Sequence, residues 1–287
     1  MTAIIFGAKG QDGYYLTELL TSKGFEVVGI SRENKIDISN FFEVKKIIKD
    51  YKPAYIFHLA ADSTTKHSAL LTNHDVITTG SINILESVKI CSPSTKIFLS
   101  GSGLQFKNEG RPIKETDAFD ISSAYSMSRI QSVIAARYYR TLGVKTYVGY
   151  FFNHDSPLRT ERHISQKIIS AVKRISSGSN EKIEIGDMSV KKEWGFAGDI
   201  VKGIWTLVEQ EKYVEAMIGT GKAYSIQEWL EACFSLVGKN WNEHVLVKNN
   251  FVAEYSILVS DPATIFSLGW KPEVSFQELA QMMLNKS

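Results

Sequence analysis

Between residue 2 and about residue 150 the chain alternates short β-branched apolar runs with longer stretches of helical period, and this alternation constrains the fold more than any other feature. The spacing predicts strands at AIIFG (3–7), EVVGI (26–30), AYIFHLA (54–60), KIFLS (96–100) and TYVGYF (146–151), with helices at about 12–23, 40–50, 73–91 and 122–142. Strands joined by helices must run parallel, so the expectation is an α/β chain built on a doubly wound parallel sheet. Ligands bind such sheets at the carboxyl ends of the strands, and here each strand is followed by a Gly, Ser or Ala cluster.

The first of these clusters is Gly7-Ala8-Lys9-Gly10-Gln11-Asp12-Gly13, between the first strand and the first helix. Glycines at this junction permit a tight turn, let backbone approach a pyrophosphate and leave room for helix against strand, while the helix N-terminus offers unpaired N–H groups to the anion. The expectation is therefore a dinucleotide-binding Rossmann domain over 1–152. After Phe152 the rhythm changes to the polar loop FFNHDSPLRTERH, then helices near 164–176, 196–210, 225–237 and 275–285 with short strands between. Residues 153–287 read as a smaller α/β substrate-binding lobe, partly interleaved with the first.

Composition removes several alternatives. Lys plus Arg number 33 against 31 Asp plus Glu, a net charge of +2 that lacks the basic excess of a nucleic-acid binder. No apolar run approaches the length of a membrane span, and no basic leader precedes the first glycines, so the chain reads as soluble and unprocessed. Cys91 and Cys233 are too far apart for a Cys-x-x-Cys metal site or a disulfide framework, which fits a reducing cytoplasm. His58, His67, His74, His154 and His163 show no metal-ligand spacing, so no metal is expected. Trp194, Trp205 and Trp229 read as core.

The glycine spacing is GxxGxxG. With Asp37 after the second strand, His58-Leu59-Ala60-Ala61 after the third, Ser100-Gly101-Ser102 after the fourth, Tyr125 to Arg129 on the next helix and a late Gly269-Trp270-Lys271-Pro272, the chain resembles the extended short-chain dehydrogenase/reductases that act on nucleoside-diphosphate sugars. The stretches GQDGYYLTELL (10–20), FFNHDSPLR (151–159), KKEWGFAGDIVKGIW (191–205) and GTGKAYSIQEW (219–229) narrow the likeness to GDP-mannose 4,6-dehydratases and the related GDP-4-keto-6-deoxymannose reductases.

That resemblance implies a nicotinamide cofactor held by Gly7, Gly10, Gln11, Asp12, Gly13, Asp37, Leu59, Ala60 and Ala61, with Tyr125 and Arg129 reaching its ribose. Members preferring NAD carry an acid at the end of the second strand. This chain has Ser31 and then Arg32, a cation suited to a 2′-phosphate, so NADP(H) is expected ahead of NAD(H), although Glu33 would repel that phosphate. The same resemblance makes Ser102, Tyr125 and Arg129 the catalytic set, Tyr125 acting as general acid or base. Arg129 replaces the family's lysine; it keeps the electrostatic help at i+4 but cannot relay a proton.

The dehydratases resemble one another in placing a carboxylate two residues after the catalytic Ser or Thr, and here that position is Leu104, after Gly103. Elimination would need another base such as Glu109 or Asp117, so hydride transfer alone at C4 of the sugar, as a 4-keto reductase or its reverse in surface-glycan sugar synthesis, is the expected reaction. The alternatives are a working 4,6-dehydratase and a catalytically silent dinucleotide-binding protein, the latter suggested by Arg129 and by Ile77 where the family usually has Asn. The implied substrate is a nucleoside-diphosphate sugar, GDP-linked by preference, facing Asn153 and His154, with Arg159, Lys167 and Lys192 as diphosphate contacts. A further phosphate-binding Arg of the dehydratases is missing from the region around Asn250 to Glu254. Only four residues separate Arg32 from Asp37, without the dehydratases' tetramer-forming insertion, and a homodimer is expected.

Overall fold

The first strand, β1 (Thr2–Phe6), shows why the sheet is covered on both faces. Ile4 and Phe6 enter one apolar cluster, Ala3 and Ile5 another, so the two-residue period of the strand buries side chains on either side. The computed structural model describes residues 1–31, 33, 36–248 and 251–285. After β1 come α1 (Gln11–Ser22), β2 (Glu26–Ile30), α2 (Phe41–Tyr51), β3 (Tyr55–His58), α3 (Leu70–Asn73), α4 (Gly80–Cys91), β4 (Lys96–Ser102), α5 (Ala124–Thr141) and β5 (Thr146–Phe151).

The second half supplies β6 (His154–Asp155), α6 (Ile164–Ser176), β7 (Ile183–Ile185), β8 (Lys191–Glu193), β9 (Gly195–Phe196), α7 (Ala197–Val208), β10 (Glu215–Ile218), β11 (Ala223–Ser225) and α8 (Ile226–Ser235). It ends with β12 (Val245–Val247), β13 (Ile257–Leu258), α9 (Ala263–Ser267) and α10 (Phe276–Asn285). The main sheet has the order β10-β5-β4-β3-β1-β2 with every pair parallel. Helices α2, α4 and α5 cover one face through Val44, Ile84, Val88 and Val133; α1, α7 and α9 cover the other through Leu16, Ile204 and Ile265. Thus β10 and α7, from the second half of the chain, complete the first sheet. A third cluster joins α6, α8 and α10 around Trp194 and Trp229, whose rings stack at 4.4 Å.

The order of strands reverses at β1, with β2 on one side and β3 on the other, and this switch opens the crevice in which ligands of open α/β sheets bind. All five expected strands are present, but that at 54–60 stops at His58 and that at 96–100 runs on to Ser102. The helix expected at 73–91 is interrupted: α3 passes through a π-helical turn at His74–Thr79 before α4 begins. The wider turn lets the Val76 carbonyl accept from His58 Nε2 at 3.1 Å and the Thr78 hydroxyl reach Gln131 Oε1 on α5 at 3.0 Å, tertiary contacts invisible to a periodicity argument. Among the described residues no helix is long and apolar enough to cross a membrane.

Candidate active site

The glycine loop is built by close approach. Gly7 takes φ +94°, and a Cβ there would lie 2.7 Å from the Ala60 backbone nitrogen, so β1 and β3 can abut only through a glycine. A Cβ on Gly13 would lie 2.3 Å from the Gly7 carbonyl oxygen, inside the turn. Gly10 differs: its nearest neighbour would be 3.4 Å away, and as N-cap of α1 it offers no side chain to the helix N–H groups. No side chain caps those amides, and the residues that bear them line a cavity, a cradle for an anion.

Two cavities meet at this loop. One, of about 460 Å³, is walled by the loop together with Ser102, Leu104, Tyr125, Arg129, Asn153 and His154. The other, of about 400 Å³, is walled by Ser31, Glu33, Ile36, Ile38, Ala60 and Asp62. Gly7, Lys9, Gly10, Leu59, Ala61 and Arg162 border both. The second cavity lies on the β2 side of the switch point and the first, the chamber, on the β4 side. Arg32 lies outside the described residues, as does Asn250. Asp37 stands between the lining residues Ile36 and Ile38, its own carboxylate accepting from the Ser39 amide and hydroxyl.

The residues expected to react come together. Ser100 and Ser102 point to the same face of β4, while Gly101 faces Tyr150. Ser102 Oγ accepts from the Leu104 amide at 3.2 Å, and its own amide donates to Gln105 Oε1, which fixes the turn that brings Leu104 into the chamber wall. Ser123 caps α5 by accepting from the Ser126 amide, and Tyr125 sits in the first turn, aimed at the strand end. Arg129, one turn on, is 4% exposed and donates from Nε to Tyr125 Oη at 3.1 Å. Its Nη1 donates to Ser100, to both the carbonyl oxygen and Oγ.

A polar network joins the glycine loop to the loop that follows β5, residues 152–163. His154 Nδ1 faces the Phe152 carbonyl at 2.7 Å and Nε2 faces Asp12 Oδ1 at 2.9 Å, and an acceptor at each nitrogen favours the protonated ring. Burial opposes both charges, but their attraction and hydrogen bond prevail: His154 is held above its ordinary 6.5 and Asp12 below 3.8. Gln11 donates to the His154 carbonyl and accepts from Ser156, and Arg159 bridges Asp155 Oδ1 and the same carbonyl. Gln11 and Asp12, expected at the cofactor, line the chamber with side chains turned to His154 and Ser156.

Asn153 lines the chamber, its Oδ1 buried and without a hydrogen-bond partner among the described residues. Lys167 donates to the Glu184 carbonyl at 2.9 Å and is absent from both walls. Lys192 is also absent from both walls and is buried, its ammonium 4.4 Å from the Trp194 ring centre; burial draws its pKa down and nearby Asp155 opposes this. The chamber also contains residues that the sequence did not single out as site residues: Lys9, Ser63, Thr64, Thr65, Ser100, Arg162 and His163. Only Ser100 carried a readable signal, since the two-residue period puts it on the face of Ser102. Arg162 Nη1 lies 3.7 Å from Asp62 Oδ1, and Thr65 Oγ1 donates to Glu254 Oε1 at 2.6 Å.

Residues 34–283 match the family model described as GDP-mannose 4,6 dehydratase. The chain is similar to GDP-mannose 4,6 dehydratase 1 of Arabidopsis thaliana, 31% identical over 99% of this chain and 89% of that protein. It is 30% identical to the human GDP-mannose 4,6 dehydratase, over 99% of this chain and 90% of that one. Among solved structures, RMD from Pseudomonas aeruginosa complexed with NADPH superposes with TM-score 0.88 at 17% identity, covering 99% of this chain and 97% of that one. The Thermus thermophilus UDP-glucose 4-epimerase complex with NAD gives 0.85 at 20%, covering 99% and 98%.

Proposed function

The chain belongs to the GDP-mannose 4,6-dehydratase family of extended short-chain dehydrogenase/reductases, NAD(P)-dependent nucleotide-sugar enzymes, and on that premise we propose that it transfers hydride at C4 of a GDP-linked sugar without eliminating water. The observation that carries this reading is Leu104, an alkyl side chain in the chamber wall two residues after Ser102, where a base for elimination would stand. The two carboxylates that could substitute are engaged elsewhere: Glu109 pairs with Lys107 and Arg111, and Asp117 with Arg111 and the Lys114 amide. Neither borders the chamber. Asp12, the one carboxylate in that wall among the described residues, is held by His154.

A nicotinamide dinucleotide fits the uncapped start of α1 and the clearance above Gly10, and supplies or accepts the hydride when bound. Tyr125 moves the proton at the sugar oxygen, and the Arg129 Nε–H steadies the phenol oxygen as charge develops on it. Ser102, already accepting from Leu104, keeps its hydroxyl proton for the same sugar oxygen. NADP(H) is the preferred coenzyme on this reading: Ser31 stands where an acid would select NAD, and Lys9, 3.4 Å from Glu33, borders both cavities. Asn153 and Arg159 would face the sugar and its diphosphate. A cytoplasmic homodimer serving surface-glycan synthesis completes the proposal, supported by free Cys91 and Cys233 and by exposed Ile82, Ile90, Ile134 and Tyr138 on α4 and α5.

One observation favours dehydration instead, beyond the activity of the relatives. His163 lines the chamber, and burial together with the neighbouring Arg159 and Arg162 pushes it down to about 4, leaving an imidazole lone pair at neutral pH. Nicotinamide absorbance decides between the readings. With NADPH or NADH and GDP-4-keto-6-deoxymannose, we expect stoichiometric oxidation that falls by about 100-fold or more in Tyr125→Phe. Conversion of GDP-mannose to a 4-keto-6-deoxy product with catalytic cofactor would instead establish elimination and overturn the argument from Leu104.

A further inference from the structure

A guanidinium works here only if something fixes which of its nitrogens faces the phenol, because Arg reaches the site on a long flexible stem. Behind Arg129 lies Ser100. Its carbonyl and its Oγ both accept from Nη1, the latter at 2.8 Å. The Ser100 hydroxyl donates to the His58 carbonyl at 2.9 Å, so its proton is committed to β3 and its lone pairs turn toward Arg129. Tyr125 occupies the other side of the fork, at Nε, with the guanidinium carbon 5.1 Å from its ring centre.

The charges around this pair leave Ser100 as the brace. His58, behind the guanidinium, is pushed down to about 3 by burial and then by Arg129, so it adds no cation. In the chamber, Asp12 and His154 neutralise each other, Lys9, Arg159 and Arg162 are donors only, and the acceptors that Arg129 meets are Tyr125 and Ser100.

We propose that Ser100 is a positioning residue of this site: by holding Nη1 between its carbonyl and hydroxyl oxygens it turns the Nε–H of Arg129 onto Tyr125. This rests on the reading of Tyr125 as the proton-transferring group. Without the hydroxyl the guanidinium pivots about its remaining carbonyl contact, and the phenolate loses part of its stabilisation.

The test uses the full-length, cofactor-loaded protein with two readouts. One is the pH profile of kcat with NADPH and GDP-4-keto-6-deoxymannose. The other needs no substrate: the tyrosinate absorbance lost between Tyr125-containing and Tyr125→Phe protein, followed against pH. In Ser100→Ala both should move to higher pH by about one unit, a tenfold change in the phenolate-to-phenol ratio, with KM altered less than about twofold. Ser100→Thr, which returns a hydroxyl, should restore both. In an Arg129→Lys background Ser100→Ala should add no further shift, since the partner it positions is gone. Ser100→Cys, close in size but a poor acceptor, carries the same prediction should the alanine variant not fold. An unmoved profile in folded Ser100→Ala or Ser100→Cys, or an equal shift in the Arg129→Lys background, overturns the proposal. Full activity of Tyr125→Phe overturns the function instead, and the tyrosinate readout still decides the role of Ser100 if the probe sugar is not turned over.

Discussion

At the scale of single residues, the pair most exposed to experiment is Asp12 and His154, because it stitches the glycine loop to the loop that follows β5 and its charges depend on pH. His154, raised above 6.5, contributes stability that is complete below that value and is lost as pH climbs through its folded pKa. Asp12, lowered below 3.8, contributes stability that is complete above 3.8 and is lost as pH falls through its own folded pKa. Their joint contribution is greatest between 3.8 and 6.5. Asp12→Asn should cost about 2 kcal/mol near pH 6, below the roughly 3 to 5 kcal/mol of a fully buried pair because Asp12 is 21% exposed and the amide keeps one hydrogen bond, and the deficit should shrink toward pH 9. Thermal melts of both proteins across that range check this, and parallel curves would count against it. Little of this pairing was readable beforehand. GQD and FFNHD are recognisable stretches, but that the ring of His154 turns to Asp12 depends on the register of β6 against β9, which no local pattern encodes. Tyr125 and Arg129 were legible because a helix turn places i and i+4 together wherever the helix lies.

At the scale of elements, the strand and helix periods were readable because each element is buried on a face or faces that its own side chains define. EVVGI and TYVGYF coincide with β2 and β5, and the expected helix at 164–176 with α6. The π-helical turn at 74–79 was not readable, since its register follows from contacts to β3 and α5 rather than from its own sequence. The glycine loop allows a sharper test, because its glycines are needed for different reasons. In Gly13→Ala the new carbon meets backbone at 2.3 and 2.6 Å, so stability should fall by about 2 to 3 kcal/mol along with dinucleotide binding. Gly10 has ordinary backbone angles and 3.4 Å of clearance, so Gly10→Ala should cost about 1 kcal/mol or less as a poorer N-cap. It should nonetheless weaken NADPH binding about tenfold or more, because the methyl fills the space a pyrophosphate needs. Melting temperatures and a nucleotide fluorescence titration separate the two; equal losses of stability would refute the distinction.

At the scale of the whole molecule, the two faces of the sheet differ in what they leave outside. On one face, α4 and α5 pack inward through Ile84, Leu85, Val88, Val133 and Ala136, and the Tyr139 hydroxyl ties them together at Glu86 with a 2.9 Å bond. The same helices turn Ile82, Ile90, Ile134 and Tyr138 outward, at spacings of four and eight residues that keep each pair on one stripe. Water gains nothing from such a stripe, and an antiparallel second copy of α4 and α5 would bury it against itself with two-fold symmetry. The reaction chamber opens at the carboxyl ends of the strands, so pairing through these helix flanks leaves it accessible. We therefore expect light scattering to give twice the mass of the chain at micromolar concentration. Replacing Ile134 and Tyr138 together by Glu should halve that mass while leaving the melting temperature of the monomer close to that of other surface variants, because both side chains are more than half exposed. A wild-type chain that stays monomeric, or a dimer indifferent to the two substitutions, would move the interface elsewhere and leave the apolar stripe without a partner of its own kind.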